Sequence, residues 1–370
     1  MATKGKNIKI FSFFSGCGFL DLGFELNGYE IVLVNEFSPS FLGAYRYSRE
    51  QMGLSRPQYG YFNIDVNEFL FDRAEELNQY LEESRKDGSL VGFIGGPPCP
   101  DFSVAGKQKG RDGDNGKLSL SYINLIKKHK PDFFLFENVK GLWRTARHRE
   151  YYEELKKMLR DSGYHMTERL TNAIEFGAPQ DRDRILLFGV SDSLKKYCKV
   201  EGFPWEKNIK YNWQEVRNLQ WPSQDVFKEN GTRQVPSNVP LELTVQYWFD
   251  KNDVEHHPNS GDCFVPRASL DKMLRIEEGD VSKKSLKRLH RWRYSPTVAY
   301  GNNEVHLHPY KARRLTVAEA LSLQSLPREF ALPPEMSLTD KFKTVGNGVP
   351  FLLADGIAKT IKDFFNTTKR

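Results

Sequence analysis

Residues 8–36, IKIFSFFSGCGFLDLGFELNGYEIVLVNE, decide the fold. An apolar run over Ile8 to Phe14 breaks at Gly16 and Gly18, and an amphipathic segment then leads into a second apolar run, Ile31 to Asn35. Strand, glycine turn, helix and strand in that order make the opening unit of an open α/β sheet. The turn brings backbone close to a ligand, and Glu36, about twenty residues on, can hold ribose hydroxyls. A pyrophosphate-binding turn would need a third glycine near position 21, where the chain has Asp21, and Phe19 follows the second glycine directly. A nucleoside ligand without a diphosphate therefore suits this loop better than NAD, and a tight turn with a solvated acid is the plain alternative. Asp65, ending a third apolar run, adds another carboxylate at the same sheet edge.

Outward from this unit, further strands are expected at Leu90 to Ile94, Phe133 to Phe136 and Ile185 to Val190. Helices are expected at Leu118 to His129 and Glu150 to Asp161, giving a mostly parallel sheet covered on both faces. After Val190 the texture changes. From about Cys198 to Tyr310, Pro, Asn and Trp accumulate, with turn signals such as Asn230-Gly231. Helical patterns return at Leu315 to Leu326 and Val349 to Phe365. The expected division is residues 1–198, a smaller irregular domain at 199–332, and a segment 333–370 that rejoins the first. A charged, helix-like stretch around Asp72 to Lys86 reads as a surface elaboration.

The 370 residues are 39% hydrophobic and 28% charged, and the formal charge is +6, compatible with a polyanionic partner. No run approaches the roughly 20 apolar residues of a membrane helix, and the amino-terminal residues lack a signal-peptide cleavage pattern, which points to a cytoplasmic protein. Cys17, Cys99, Cys198 and Cys263 are scattered, with neither zinc-ligand nor disulfide-framework spacing. His256, His257, His306 and His308 fit no familiar metal site either, so no metal is expected.

The most informative run is GGPPCPDFSVAGK, residues 95–107. Pro97, Pro98 and Pro100 fix the backbone around Cys99, a rigidity that suits an aimed nucleophile, although a small buried hydrophobe is the other reading. The next expected strand, in DFFLFENV at residues 132–139, presents Glu137 at its end, where a carboxyl group could serve as proton donor or as an ion-pair partner. In GAPQDRDR, residues 177–184, the spacing of Arg182 and Arg184 sends both to one face of an extended segment. Beyond it, SKKSLKRLHRWRYSPT at 282–297 interleaves Lys283, Lys284, Lys287, Arg288, Arg291 and Arg293 with Trp292 and Tyr294. That run reads as a nucleic-acid surface or, failing that, a solvated face.

Taken together, these runs resemble the motifs of the cytosine-5 DNA methyltransferases, over nearly the whole chain and in the family's order. FFSGCGFLDLGFE is similar to the first motif, Glu36 and Asp65 to the second and third, PPCPDFSVAG to the fourth, and FENV to the sixth. QDRDR is similar to the eighth, RRLTVAEALSLQSLP to the ninth and TVGNGVPFLLADGIAKTI to the tenth. The resemblance implies a Rossmann-like S-adenosylmethionine-dependent methyltransferase fold with a smaller target-recognition domain. It implies methyl transfer to C5 of a cytosine flipped out of double-stranded DNA, in a bacterial restriction-modification or orphan system, by a protein acting as a monomer. An RNA cytosine-5 methyltransferase and an inactive DNA-binding paralogue are the alternatives.

Carried over residue by residue, Cys99 attacks C6, Glu137 holds N3 and the exocyclic amine, and Arg182 and Arg184 lie at the target base and its backbone. Phe14, Gly16, Gly18, Glu36, Asp65, Pro98, Leu118 and Asn347 would form the cofactor pocket. Ser103 would touch a phosphate from a loop in which Gly106, Gly110 and Gly113 supply hinge freedom. Gln180, Lys287, Arg288, Arg291 and Arg293 complete the expected DNA contacts. Pro100, Phe19 and Gly348 depart from the family's usual Gln, Gly and Ser.

Overall fold

The computed structural model describes residues 7–98, 114–144, 146–195, 200–265, 270–283, 285–298, 300 and 306–367. Its centre is a seven-stranded sheet of β1 (Ile8–Phe13), β2 (Glu30–Asn35), β3 (Gly60–Phe62), β4 (Leu90–Gly95), β5 (Phe133–Val139), β6 (Tyr164–Asn172) and β8 (Asp183–Ser191). The short β7 (Gln180–Asp181) lies outside it and pairs with Ser295–Pro296. The order across the sheet is β3-β2-β1-β4-β5-β8-β6. β8 alone runs antiparallel to its neighbours β5 and β6, whereas β1 to β5 pair in parallel. The carboxyl ends of β1, β2, β4 and β5 therefore share one edge with the amino end of β8, and all the chemistry-bearing motifs of the first half converge there.

Alternation along β1 sends Ile8 and Ile10 to one face and Phe11 and Phe13 to the other. On the first face they meet α1 (Phe19–Glu25) and the long helix Phe351–Thr367, whose Ile357, Ile361 and Phe365 pack with Phe24 and Phe188. On the second face the phenylalanines meet α3 (Ala74–Arg85), α4 (Asp114–His129) and the helix Ala146–Arg160 through Leu77, Leu81, Tyr122, Leu125 and Leu155. The sheet is thus buried on both sides, as near-continuous apolar strands require.

Two expectations need correction. The stretch around Asp72 to Lys86 is not a surface elaboration: Leu77 and Leu81 of α3 are buried on the sheet, so it is a crossover helix between β3 and β4 whose outer face alone is charged. The nine-residue β6, unexpected from sequence, forms the sheet edge. Most of its residues are half-exposed, so YHMTERLTN carries no apolar run to reveal it. Among the described residues between β8 and the helix Leu338–Asn347 the elements are short, including Trp213–Asn218, Val245–Lys251, Val317–Leu323 and the paired dipeptides Lys287–Arg288 and His306–Leu307.

Candidate active site

The glycine loop begins with Phe14 at φ 54°, a left-handed conformation strained for a residue with a side chain. Gly16 and Gly18 follow at 56° and 77°, and Gly18 caps α1. Glu36, just past β2, spans the turn with both carboxylate oxygens: Gly16 N–H donates to Oε2 and Ser38 N–H to Oε1, each at 2.8 Å. Burial pushes its carboxyl above the usual range, partly offset by those backbone donors. Asp65 is exposed at the start of a short 3-10 turn and accepts the Asn67 N–H at 2.8 Å. Pro98 and Asn347 are exposed, and Leu118 is half-buried on α4. Sequence reasoning passed over Phe37, which stands 72% exposed immediately after Glu36, with the backbone beneath it pinned by Asn63. The sequence offered only an aromatic directly after a motif carboxylate; its exposure is a property of the fold.

Glu137, near the end of β5, is buried, and Arg184 faces it from the neighbouring strand: Val139 pairs with Arg184 and Glu137 with Leu186, so both side chains emerge on one face. Arg184 Nε lies 2.6 Å from Glu137 Oε1, but the N–H is not aligned on that oxygen, so the contact is an ion pair rather than a linear hydrogen bond. Burial holds the Glu137 carboxyl above its ordinary range, against the pull of Arg184 and Arg182. From the other side, a Cβ at Gly96 would fall 2.6 Å from Glu137 Oε2, so glycine is what lets the β4 turn close on this carboxylate. Asn138 Nδ2 reaches the Pro97 carbonyl at 3.5 Å, tying the proline turn to the end of β5. Cys99 and Ser103 lie outside the described residues, as do Pro100, Gly106, Gly110, Gly113, Cys198 and Lys284. Cys17, by contrast, is buried, and desolvation pushes its thiol up to about 12, which leaves it unreactive.

Gln180 and Arg182 are not disposed as expected. Both are buried. Gln180 donates to the Leu323 carbonyl and accepts the Val298 N–H, while Arg182 donates to the carbonyls of Val298 and Gly346 at 2.9 and 2.6 Å. They fasten three distant segments to β7 through these bonds, whereas Arg184 faces Glu137.

The basic run also divides. Arg288, fully buried, is used up by the carbonyls of Ile276, Met273, His308 and Lys311, and Arg291 is paired inside with Glu278. Neither reaches the surface, because each satisfies interior groups that would otherwise be orphaned. Lys287 and Arg293 are half-exposed. Arg293 lines a cavity of about 310 Å³ together with Asp181, Arg217, His290 and Tyr294. Arg217 is a second arginine there that sequence reasoning did not select. Among the described residues no group of three or more His, Cys, Asp or Glu could hold a metal ion, and no helix is long and apolar enough to cross a membrane.

This geometry has counterparts in known proteins. The family model for C-5 cytosine-specific DNA methylase matches residues 8–363. The chain is 55% identical to the Type II methyltransferase M.NmeDI of Neisseria meningitidis serogroup C, over 97% of this chain and 84% of that protein. It is 31% identical to the Type II methyltransferase M.FnuDI of Fusobacterium nucleatum, over 96% and 94%. In fold it is similar to a putative DNA modification methyltransferase encoded within an E. coli prophage (TM-score 0.67, 22% identity, 97% and 100% covered). It is likewise similar to the S. pombe Dnmt2 methyltransferase (0.60, 14%, 97% and 99%). With the motifs in order along the chain and the sheet that carries them, the protein belongs to the C-5 cytosine-specific DNA methylases.

Proposed function

We propose that this enzyme methylates C5 of a cytosine extruded from a specific sequence in double-stranded DNA, within a restriction-modification or orphan system. S-adenosylmethionine is the donor in this reading, and the sheet edge suits it. Phe37 offers an exposed aromatic face for a purine, Glu36 retains lone pairs beyond its two backbone bonds for ribose hydroxyls, and Gly16 has open space where a side chain would stand. When bound, the donor supplies an electrophilic methyl group. We assign Phe14, Gly16, Gly18, Asp65, Pro98, Leu118 and Asn347 to the same pocket.

The observation that carries the proposal is the buried Glu137, ion-paired to Arg184 and closed on by the glycine of the PPC turn. Cys99, two residues beyond Pro97, whose carbonyl Asn138 holds, adds as thiolate to C6 of the pyrimidine. Glu137, whose burial shifts its carboxyl toward the neutral form against the opposing pull of the Arg184 beside it, is the group that passes a proton to N3 and so drains the negative charge that would otherwise build on the ring. C5 becomes nucleophilic and takes the methyl group as its bond to sulfur breaks. Loss of the C5 proton to a base then expels Cys99 as thiolate and restores the double bond, and the N3 proton returns to Glu137. Residues 199–332, with Arg293 and Arg217 on the cavity beside β7, are assigned to target recognition in a monomeric, cytoplasmic enzyme, and 333–370 to the catalytic unit.

The test is transfer of tritiated methyl to duplex DNA, with bisulfite sequencing of DNA from expressing cells to give base and site. Wild type should label cytosine C5 and Cys99→Ser should not. Labelling of tRNA in preference to duplex DNA would overturn the substrate assignment, and unaltered labelling by Cys99→Ser would overturn the mechanism.

A further inference from the structure

The glycine loop is held from two sides. Glu36 binds it on the open edge; from the protein interior it is held by Arg49, in the last turn of α2 (Pro39–Gln51). Arg49 is 1% exposed, and each arm of its guanidinium has a task. Nη2 donates to the Gly18 carbonyl at 2.6 Å, Nε donates to Glu25 Oε2 at 2.8 Å, and the plane lies 4.2 Å from the centroid of the Tyr45 ring. Tyr45 in turn donates its hydroxyl to Asp21 Oδ2 at 3.0 Å, and Ser12, from β1, donates to Asp21 Oδ1 at 2.9 Å. A Cβ at Gly18 would fall 2.3 Å from the Tyr45 ring and 2.7 Å from Arg49 Nη2, so these two side chains press directly against the α-carbon of the loop.

A buried ion pair is a poor way to gain stability, because apolar residues of equal volume often serve as well. Its value lies in fixing geometry. The carbonyl that Arg49 grips belongs to the residue whose positive φ turns the loop into α1, and the planar fork ties that carbonyl, Glu25 and the Tyr45 ring into one rigid unit. None of Arg49, Tyr45 or Asp21 reaches the open edge; all three are buried under it.

We propose that Arg49 is a positioning residue for the methyl-donor site, holding the Gly18 carbonyl and thereby the glycine loop in the shape that receives the cofactor. This rests on the donor assignment above. Lysine is one bond shorter than the path to Nη2, which meets both the Gly18 carbonyl and Glu25, and it has no planar fork to stack on Tyr45, so Arg49→Lys keeps the charge and loses this geometry. In the full-length enzyme, calorimetric titration with S-adenosylhomocysteine should show its Kd raised about tenfold, the loss of one charge-assisted hydrogen bond. KM for the donor should rise in parallel, with the change in KM much larger than that in kcat. DNA affinity in a filter-binding assay should stay at the wild-type value. Arg56→Gln, which removes an exposed ion pair with Glu50 nearby, serves as the surface control and should leave Kd unchanged.

A lowered melting temperature with an unchanged Kd would make Arg49 a packing residue and overturn the proposal. So would a fall in kcat alone. Should Arg49→Lys not fold, Tyr45→Phe keeps the ring and removes only the donor to Asp21; a Kd raised about threefold would support the proposal and an unchanged Kd would overturn it. A wild type that bound no S-adenosylhomocysteine would remove the donor assignment itself, whereas wild-type binding matched by Arg49→Lys sinks the Arg49 proposal alone.

Discussion

At the scale of single residues, the two carboxyl groups that matter are both buried and both pushed toward their neutral forms, with different consequences. In the proposed reaction the neutral form of Glu137 is the useful one. Glu137→Gln keeps the shape but cannot pass a proton to N3, so kcat should fall by about 10²–10⁴-fold with DNA affinity retained. Since its folded pKa is raised, the wild-type rate should decline as pH rises through that value, and the glutamine variant should lack that limb. Asp21, beneath the glycine loop, is raised to about 6 by desolvation against the pull of Arg49. A raised folded pKa means that the protein holds this proton more tightly than the unfolded chain does. Stability from this source is full below the unfolded value of 3.8 and is lost as pH climbs to about 6. Urea titrations at pH 4 and 7 should therefore show the difference between wild type and Asp21→Asn shifting by up to about 3 kcal/mol, with wild type losing ground at the higher pH.

At the scale of elements, contacts between segments distant in sequence set the cofactor edge. A Cβ at Gly348 would lie 2.0 Å from the ring of Phe19, which itself packs edge-on to Phe330 at 5.2 Å. Phe19 starts α1 and Gly348 ends the helix Leu338–Asn347, so one aromatic ring couples the glycine loop to the loop after Asn347. The resemblance leads one to expect Gly and Ser at these two positions; here the Phe19 ring occupies the space a serine side chain at 348 would need. Gly348→Ser should cost about 1–3 kcal/mol by overpacking. Combining it with Phe19→Ala should recover part of that loss, a non-additivity of about 0.5–3 kcal/mol in a double-mutant cycle read by chemical denaturation. The helix α3 is tested in the same way. Leu77→Ala should destabilise by about 2–5 kcal/mol if the helix belongs to the core, and by a few tenths if it were decoration.

Across the whole molecule, the basic residues separate into those that build and those that are free to bind. Arg288 and Arg291 hold the region beyond β8 together from inside, whereas Arg293 and Arg217 border a cavity beside β7. Arg291→Gln would leave Glu278 short of a partner and should lower the melting temperature. Arg293→Gln should leave that temperature near wild type while weakening DNA binding. If Arg293 contacts a phosphate, the salt dependence of log K should become shallower by about one unit across all sequences; if it reads a base, discrimination at one position should relax instead. Gln180 and Arg182 belong with the builders. Substituting either should disturb folding before it disturbs DNA affinity, because their partners are backbone groups of segments more than a hundred residues away.

The sequence alone determined the local terms. Apolar runs bounded by glycine and proline marked β1, β2, β4, β5 and β8 to within a residue or two at most ends, because strands buried on both faces must be apolar throughout. The glycine turn, Glu36 and Glu137 were legible because each sits where such a run ends. The edge strand β6 left no such mark, since half of it faces water, and neither did Phe37, whose meaning depends on being exposed. Only the tertiary structure decided which arginines were free. Charge reads the same in sequence whether a guanidinium lies in solvent or is consumed by carbonyls, and long-range contacts alone distinguish Arg184, set against Glu137, from Arg182, locked into the fold two residues before it.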